Sequence, residues 1–523
     1  MVGYKMNDNI KKAILQLSKR AEGYDPRYLI ETFVDLENLY VSLGTKDHQV
    51  IYGRRGTGKT HLLRVLKVKS KNCFGIYIDM RTIGSTGGVQ NDYSIPLSER
   101  ANRLILDVLG HIHTEILTYV YSDETADLGR WTIALDNFAK SVTELVVVGE
   151  KEIATKTEEE YSIHDQTDAN IELGANGLVA SIGAKAESTE ARKAERTVNV
   201  KGNEICRIHF GRLRQDFKDI CLLLGDKRLL ILIDEWSEIP LDIQPALADL
   251  IKRTLLPTSG VTVKIAAIEK RSNFLIEAAD RFGIEIGGDI PSTMDLDEYL
   301  VFDNSREKSM TFFGSLIVRH IRSIIEESGV KLTLSYQQII NDIFARADGF
   351  QEFVKATEGV PRDAINILTT CCQLSKEDKI TIPDIRLAAK KWYSLGKEAT
   401  LINKDARKLL RWIIDDVISH RRARAFLIES DVEDKLIDLL YDMRLIHIIK
   451  KGVSSNDRPG ERFTVYAIDY GCYVDLINTA KEPIGLFEIE EAEEMKYIEV
   501  PGNDYRSIRR AILNLKSFYL SLT

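Results

Sequence analysis

Eight consecutive residues, Gly53-Arg54-Arg55-Gly56-Thr57-Gly58-Lys59-Thr60, put three glycines, a lysine and a hydroxyl at the spacing G-x-x-x-x-G-K-[ST]. Such a loop handles phosphate. Its glycines let successive backbone N–H groups turn inward around an anion, and a helix starting behind it adds the positive end of its dipole. Lys59 can reach the β- and γ-phosphates, and the Thr60 hydroxyl can ligate Mg²⁺. The flanks suit this: Val50-Ile51-Tyr52 reads as a strand, and His61-Leu62-Leu63-Arg64-Val65-Leu66 continues with helical spacing. The expectation is a nucleoside triphosphate site.

A second acidic feature lies far downstream. Leu229-Leu230-Ile231-Leu232-Ile233 is a continuous apolar run of the kind buried on both faces of a parallel sheet, and it ends in Asp234-Glu235. Ligands of open α/β sheets bind at that edge of the strands. Asp234 is the candidate Mg²⁺ ligand, and Glu235 the candidate base for an attacking water. Further strands are expected at Cys73–Asp79, Val261–Ile268 and Leu300–Phe302, with a helix near 242–256. Strands alternating with helices predict a parallel α/β sheet covered on both faces.

Bulk properties narrow the class. The 523 residues suffice for two to four domains, and the net charge of −8 gives no global basic field for nucleic acid. The six cysteines form no C-x-x-C pair and read as reduced thiols. His111 and His113, two apart, point to different sides of a helix and do not suit a metal pair. No apolar run approaches membrane-spanning length and no signal-peptide core opens the chain, so the reading is a soluble, cytoplasmic protein with no membrane partner.

These motifs, with Gly359-Val360-Pro361-Arg362-Asp363-Ala364-Ile365, resemble an AAA+ P-loop ATPase of origin-recognition/Cdc6-like layout, with similarity to STAND-type signalling NTPases. The resemblance spans about residues 20–475, with its specific motifs confined to a few dozen positions. It implies an α/β fold: a parallel-sheet AAA+ core at 1–305, a helical lid at 306–400, a winged-helix-like domain at 401–480 and a tail with a short amphipathic helix at 481–523. It implies ATP and Mg²⁺ as cofactors. Nucleotide would contact Gly53, Arg54, Arg55, Gly56, Thr57, Gly58, Lys59, Thr60 and His61. Phe33 and Val34, in the segment Thr32–Asp35, would cover the adenine. Thr60 and Asp234 would hold the metal. Glu235, Lys59, Arg362 and an arginine finger would act in catalysis, with Arg362 as sensor 2 reaching the γ-phosphate.

Two positions depart from the pattern. Glu269 stands where a polar sensor 1 is usual, leaving Ser272 or Asn273, or no residue, for that task. The finger falls to Arg281, with Arg271 behind it. A β-containing insertion is assigned to 122–205, with a charged loop at 151–170, a hairpin around Asn176-Gly177 and further strands about Gly202-Asn203. It contacts a partner, lines a substrate channel or decorates the surface.

Residues 401–475 read as helix, helix and β-hairpin. The helix in the recognition position carries Asp431, Glu433, Asp434, Asp438 and Asp442, which phosphate would repel. A basic set lies nearby in Lys404, Arg407, Lys408, Arg411, Arg421, Arg422 and Arg424, with Lys450, Lys451 and Arg458 on the wing. After an acidic stretch at 488–494, an apolar stripe in 505–520 either packs back or recruits a partner. The leading expectation is an oligomerising ATP switch or assembly factor that controls a partner protein through the insertion, the winged helix or the tail. A bacterial defence or mobile-element setting would fit such relatives, with no residue here to show it. The alternatives are a DNA-binding initiator or loader, and a STAND-type sensor that holds ADP.

Overall fold

Burial on both faces explains the run at 229–233. Leu229, Ile231 and Ile233 sit in the core on one side of a sheet, and Leu230 and Leu232 sit in the core on the other. The period-2 alternation of strand side chains requires this division. The computed structural model describes residues 5–17, 25–35, 38–83, 92–143, 145–155, 169–171, 196–206, 209–277, 281–300, 306–375, 378–420, 424–454, 460–477 and 512–522. Five strands, β1 (Gln49–Tyr52), β2 (Cys73–Asp79), β3 (Arg228–Asp234), β4 (Val261–Ala267) and β5 (Ser292–Asp295), form one sheet in the order β5-β1-β4-β3-β2. Every pairing is parallel.

Helix α1 (Lys59–Lys69) buries Leu62, Leu63, Val65 and Leu66 against one face. The other face is covered by α2 (Leu97–Ser122), α3 (Leu128–Thr143), α4 (Phe210–Leu223) and α5 (Gln244–Thr254). The mixed α/β class with a parallel core is therefore as expected, but the fifth strand is not. It lies at Ser292–Asp295, and Leu300 instead follows a short helix, Leu296–Tyr299. Positions 301–305 fall outside the described residues.

The stretch assigned to the insertion also divides differently. Helix α3 packs into the main core, with Phe138 fully buried against Phe217 at a ring separation of 5.0 Å. Beyond it, Leu145–Thr155 pairs antiparallel with Arg196–Cys206 along its whole length, and Ala169–Ile171 adds an edge. Gly202 and Asn203 lie inside a strand, opposite Gly149 and Val148, and form no turn. Residues 151–155 are strand, although their charge suggested a loop. The Asn176-Gly177 hairpin lies outside the described residues.

A second, helical core gathers α6 (Arg306–Glu327), α7 (Pro361–Leu374) and the N-terminal helix Asp8–Gln16. A third surrounds α8 (Lys404–Ile413), α9 (Lys435–Asp442) and a three-stranded antiparallel sheet. Its strands are β6 (Ala425–Glu429), β7 (Ile446–Ser454) and β8 (Arg462–Ile468), in the order β6-β8-β7. Strand β6 was not anticipated. The terminal helix α10 (Leu515–Leu522) packs back on this unit, burying Leu515 and Phe518 beside Trp412. The acidic stretch 488–494, Arg421, Arg422 and Arg458 lie outside the described residues.

If α3 belongs to the core, Phe138→Ala should cost about 3–5 kcal/mol in urea unfolding. A loss below 1 kcal/mol would place the helix with the surface insertion instead.

Candidate functional site

The glycine loop joins β1 to α1, and its shape depends on glycine at two places. Gly56 and Gly58 hold φ of 94° and 102°, in the left-handed region. A Cβ on Gly56 would also sit 2.7 Å from the Cβ of Arg362. That contact brings the start of α7 to the loop, where the Arg362 backbone N–H donates to the Gly56 carbonyl at 3.2 Å. Two segments 306 positions apart in the sequence therefore meet.

Lys59 is buried, and its Nζ donates to the loop's own carbonyls, Gly53 at 2.5 Å and Arg54 at 3.0 Å. Burial lowers its pKa despite the pull of Asp234 and Glu235. The Thr57 hydroxyl donates to the Arg54 carbonyl at 2.9 Å. At the end of β3, Asp234 is fully buried and accepts from the Tyr77 hydroxyl at 2.7 Å and from the Glu235 N–H at 2.8 Å. Glu235 itself has φ 56°, a strained value for a non-glycine residue. Burial, then the neighbouring Asp234, pushes its carboxyl pKa up. Arg81, after β2, pairs with Asp79 at 2.6 Å and lies 3.8 Å from Glu235.

Beside the loop is an apolar cavity. Phe33, Val34, His61, Leu296, Phe312 and Leu316 line it, with Thr57, Gly58 and Pro361 at its phosphate-loop side. His61 is oriented by the Leu29 carbonyl at 2.8 Å from Nε2 and stands edge-on to Phe33. Thr60 sits at the first turn of α1.

The remaining expected residues lie differently. Arg55 pairs with Glu238. Glu269 meets Lys451 at 3.4 Å, Ser272 shares a hydroxyl contact with Ser237 at 3.0 Å, and the Asn273 N–H is taken by Gln244. Arg281, the expected finger, stands on no helix. It instead precedes the short strand Phe282–Gly283, is 64% exposed and pairs with Glu285. Arg271 is bound to Asp442 at 2.6 Å.

Arg54 is the residue whose role the sequence did not reveal. Its side chain is 5% exposed and turns away from the loop's concave face. Asp297 accepts from its Nε at 2.8 Å and from its backbone N–H at 2.7 Å. Its Nη1 reaches His447 Nδ1 at 3.0 Å, and its guanidinium lies 4.5 Å over the Tyr441 ring. From there the contacts continue. His447 Nε2 meets Asp469 at 3.0 Å, Asp469 meets Lys397 at 2.5 Å, and Lys397 meets Asp363 at 2.9 Å. Asp363 lies 3.2 Å from Arg444, which donates to the Arg55 carbonyl at 2.8 Å. The Arg444–Asp363 contact is an ion pair by distance without hydrogen-bond alignment. Burial holds His447 down to about 3, so it is neutral, while Lys397 and His447 draw Asp469 well below the usual carboxylate range against the effect of burial.

A family model described as ORC-CDC6-like matches residues 17–72, the stretch holding β1, the glycine loop and α1. No curated protein matches the chain in sequence. Among solved structures, the Thermotoga maritima RuvB Holliday junction branch migration motor is 12% identical, covers 77% of this chain and 80% of its own, and has a TM-score of 0.27. The Aeropyrum pernix ORC1 protein, solved in complex with DNA, is 11% identical, covers 90% and 96%, and has a TM-score of 0.29. The chain is linked to the ORC-CDC6-like P-loop NTPases through residues 17–72.

Proposed function

We propose that the chain binds Mg-ATP in the curve of the 53–60 loop, between the sheet and α7, and hydrolyses it. The observation that carries this reading is the meeting of the Gly53–Thr60 loop with Arg362, whose backbone is tied to Gly56. The buried Asp234 and the partly exposed Glu235 lie near enough to act on the charge of Lys59. Lys59, held on loop carbonyls here, would turn to the β- and γ-phosphates when these take over its hydrogen bonds. The apolar cavity beside Phe33 and Val34 suits a purine face.

Among the described residues no group of three or more His, Cys, Asp or Glu is placed to hold a metal ion. Magnesium commonly takes one or two protein ligands and completes its shell with phosphates and water. Thr60 and Asp234 fit that need. The ion would neutralise phosphate charge. Glu235 would take the proton of the attacking water, and its raised pKa suits a base. Arg362 would approach the γ-phosphate.

At the level of biology, we read an oligomerising switch that controls a partner protein, with the exposed Arg281 as the arginine offered to a neighbouring copy. A DNA-binding initiator is the second reading. It is favoured by the exposed basic side of α8, with Lys404, Lys408 and Arg411. Against it, the acidic α9 is engaged within the chain through Asp438 and Asp442.

Steady-state ATPase, measured across protein concentration with and without duplex DNA, tests these readings. Activity per chain should rise with concentration, ignore DNA, and fall on the order of 10²-fold or more in Glu235→Gln. Stimulation by DNA would favour the second reading. No turnover in wild type at any concentration would contradict hydrolysis.

The pH profile supplies an independent check. A base must be ionised, so activity falls as pH drops through a pKa that lies above the ordinary 4.5. The acid limb of kcat/KM, which reports the free protein, should therefore lie above pH 4.5 in wild type. A limb at or below that value would remove Glu235 from the role.

A further inference from the structure

The unit built from residues 401–468 does not hang from the core. It grips the nucleotide loop on both sides of one peptide bond. Arg54 sends its side chain into the unit, to His447 and the Ile446 carbonyl, and Arg444 of the unit takes the Arg55 carbonyl. The same Arg444, with Lys397, also holds Asp363, the residue after Arg362. Loop and α7, which would close on opposite sides of a nucleotide, are thus fastened to one body.

The rim of this contact is ionic and half-exposed. Lys451 on β7 lies 3.4 Å from each of Glu269, Asp295 and Glu298. Lys270 meets Asp438 at 3.4 Å, and Arg271 meets Asp442 at 2.6 Å. These partners account for two features that fit no nucleotide or DNA role. The charged run Glu269-Lys270-Arg271, at the position of sensor 1, is a docking strip. The carboxylates of α9 are its counterpart.

We propose that the 401–468 unit is a latch. Docked as here, it holds the loop and α7 together and slows nucleotide exchange, and its release frees both at once. The proposal rests on the ATP reading for its consequence, but the mechanical coupling stands apart from it. Surface ion pairs are individually weak, and a set of them around a buried network can be opened by charge reversal at the rim without disturbing the core. By linkage, whatever opens the latch changes nucleotide affinity, and nucleotide shifts the latch by the same factor.

The test uses the full chain as wild type and as the double variant Lys451→Glu, Asp438→Arg, which opposes like charges at two rim sites. Hydrogen exchange is followed without nucleotide, and dissociation of a mant-labelled ADP is timed against excess ATP. In the variant, amides of 53–58 and 360–363 should exchange at least tenfold faster, while 228–234 keep wild-type protection and report an intact core. Release of mant-ADP should speed up at least tenfold. The latch is overturned if 446–454 loosens in the variant while 53–58 does not. It is equally overturned if neither segment changes, since the rim would then hold nothing. A wild type that binds no mant-ADP would sink the ATP reading and leave the exchange comparison to decide the latch.

Discussion

Placing the Arg54 guanidinium out of water is the condition on which the site depends. A buried charge with no partner costs several kcal/mol, and removing one member of a buried pair is strongly destabilising. Here the burial is balanced. Arg54, Lys397 and Arg444 supply three cations, Asp297, Asp363 and Asp469 supply three carboxylates, and His447 stays neutral among them. The network draws on the loop, the turn after β5, the start of α7 and the C-terminal unit. Each of these elements has to be in place for the others' charges to be satisfied. A network of this kind sets relative position better than apolar contact does, because a shift of an ångström leaves a charge unpaired.

Backbone strain collects at the same place. Among the described residues, Asn38, Glu235, Glu358 and Arg444 are non-glycine residues with positive φ. Three of these four belong to the site or to the contacts that close it: the candidate base, the residue before Gly359 that pairs with Arg424, and the arginine on the Arg55 carbonyl. Such conformations persist where the surroundings over-determine them. The structure thus concentrates both its buried charge and its strain where three units meet around one loop.

Much of the candidate site was legible in local sequence because glycine-rich loops and buried strands carry local signals. The glycine spacing, the run ending in Asp234-Glu235 and the strands at 73–79 and 261–267 need only neighbours in the chain to be recognised. Strand β5 escaped because an edge strand such as Ser292–Asp295 is only partly buried and has no continuous apolar run. Arg54 escaped for another reason. It occupies a variable position of the motif, and its partners stand 243 and 393 residues away. A faint signal was available. An acidic helix that suits no nucleic acid, and the charged run Glu269-Lys270-Arg271 that suits no phosphate, called for a partner within the chain. Sequence alone does not say which.

One measurement bears most directly on whether the loop, α7 and the acidic strand end form a nucleotide site: a crystal structure of the chain with Mg²⁺ and a non-hydrolysable ATP analogue. It should show phosphates in the curve of residues 53–60, Lys59 Nζ moved from the Gly53 and Arg54 carbonyls onto them, and the Arg362 guanidinium at the γ-phosphate. Lys59 still on its carbonyls, with the analogue elsewhere or absent at saturating concentration, would contradict the site.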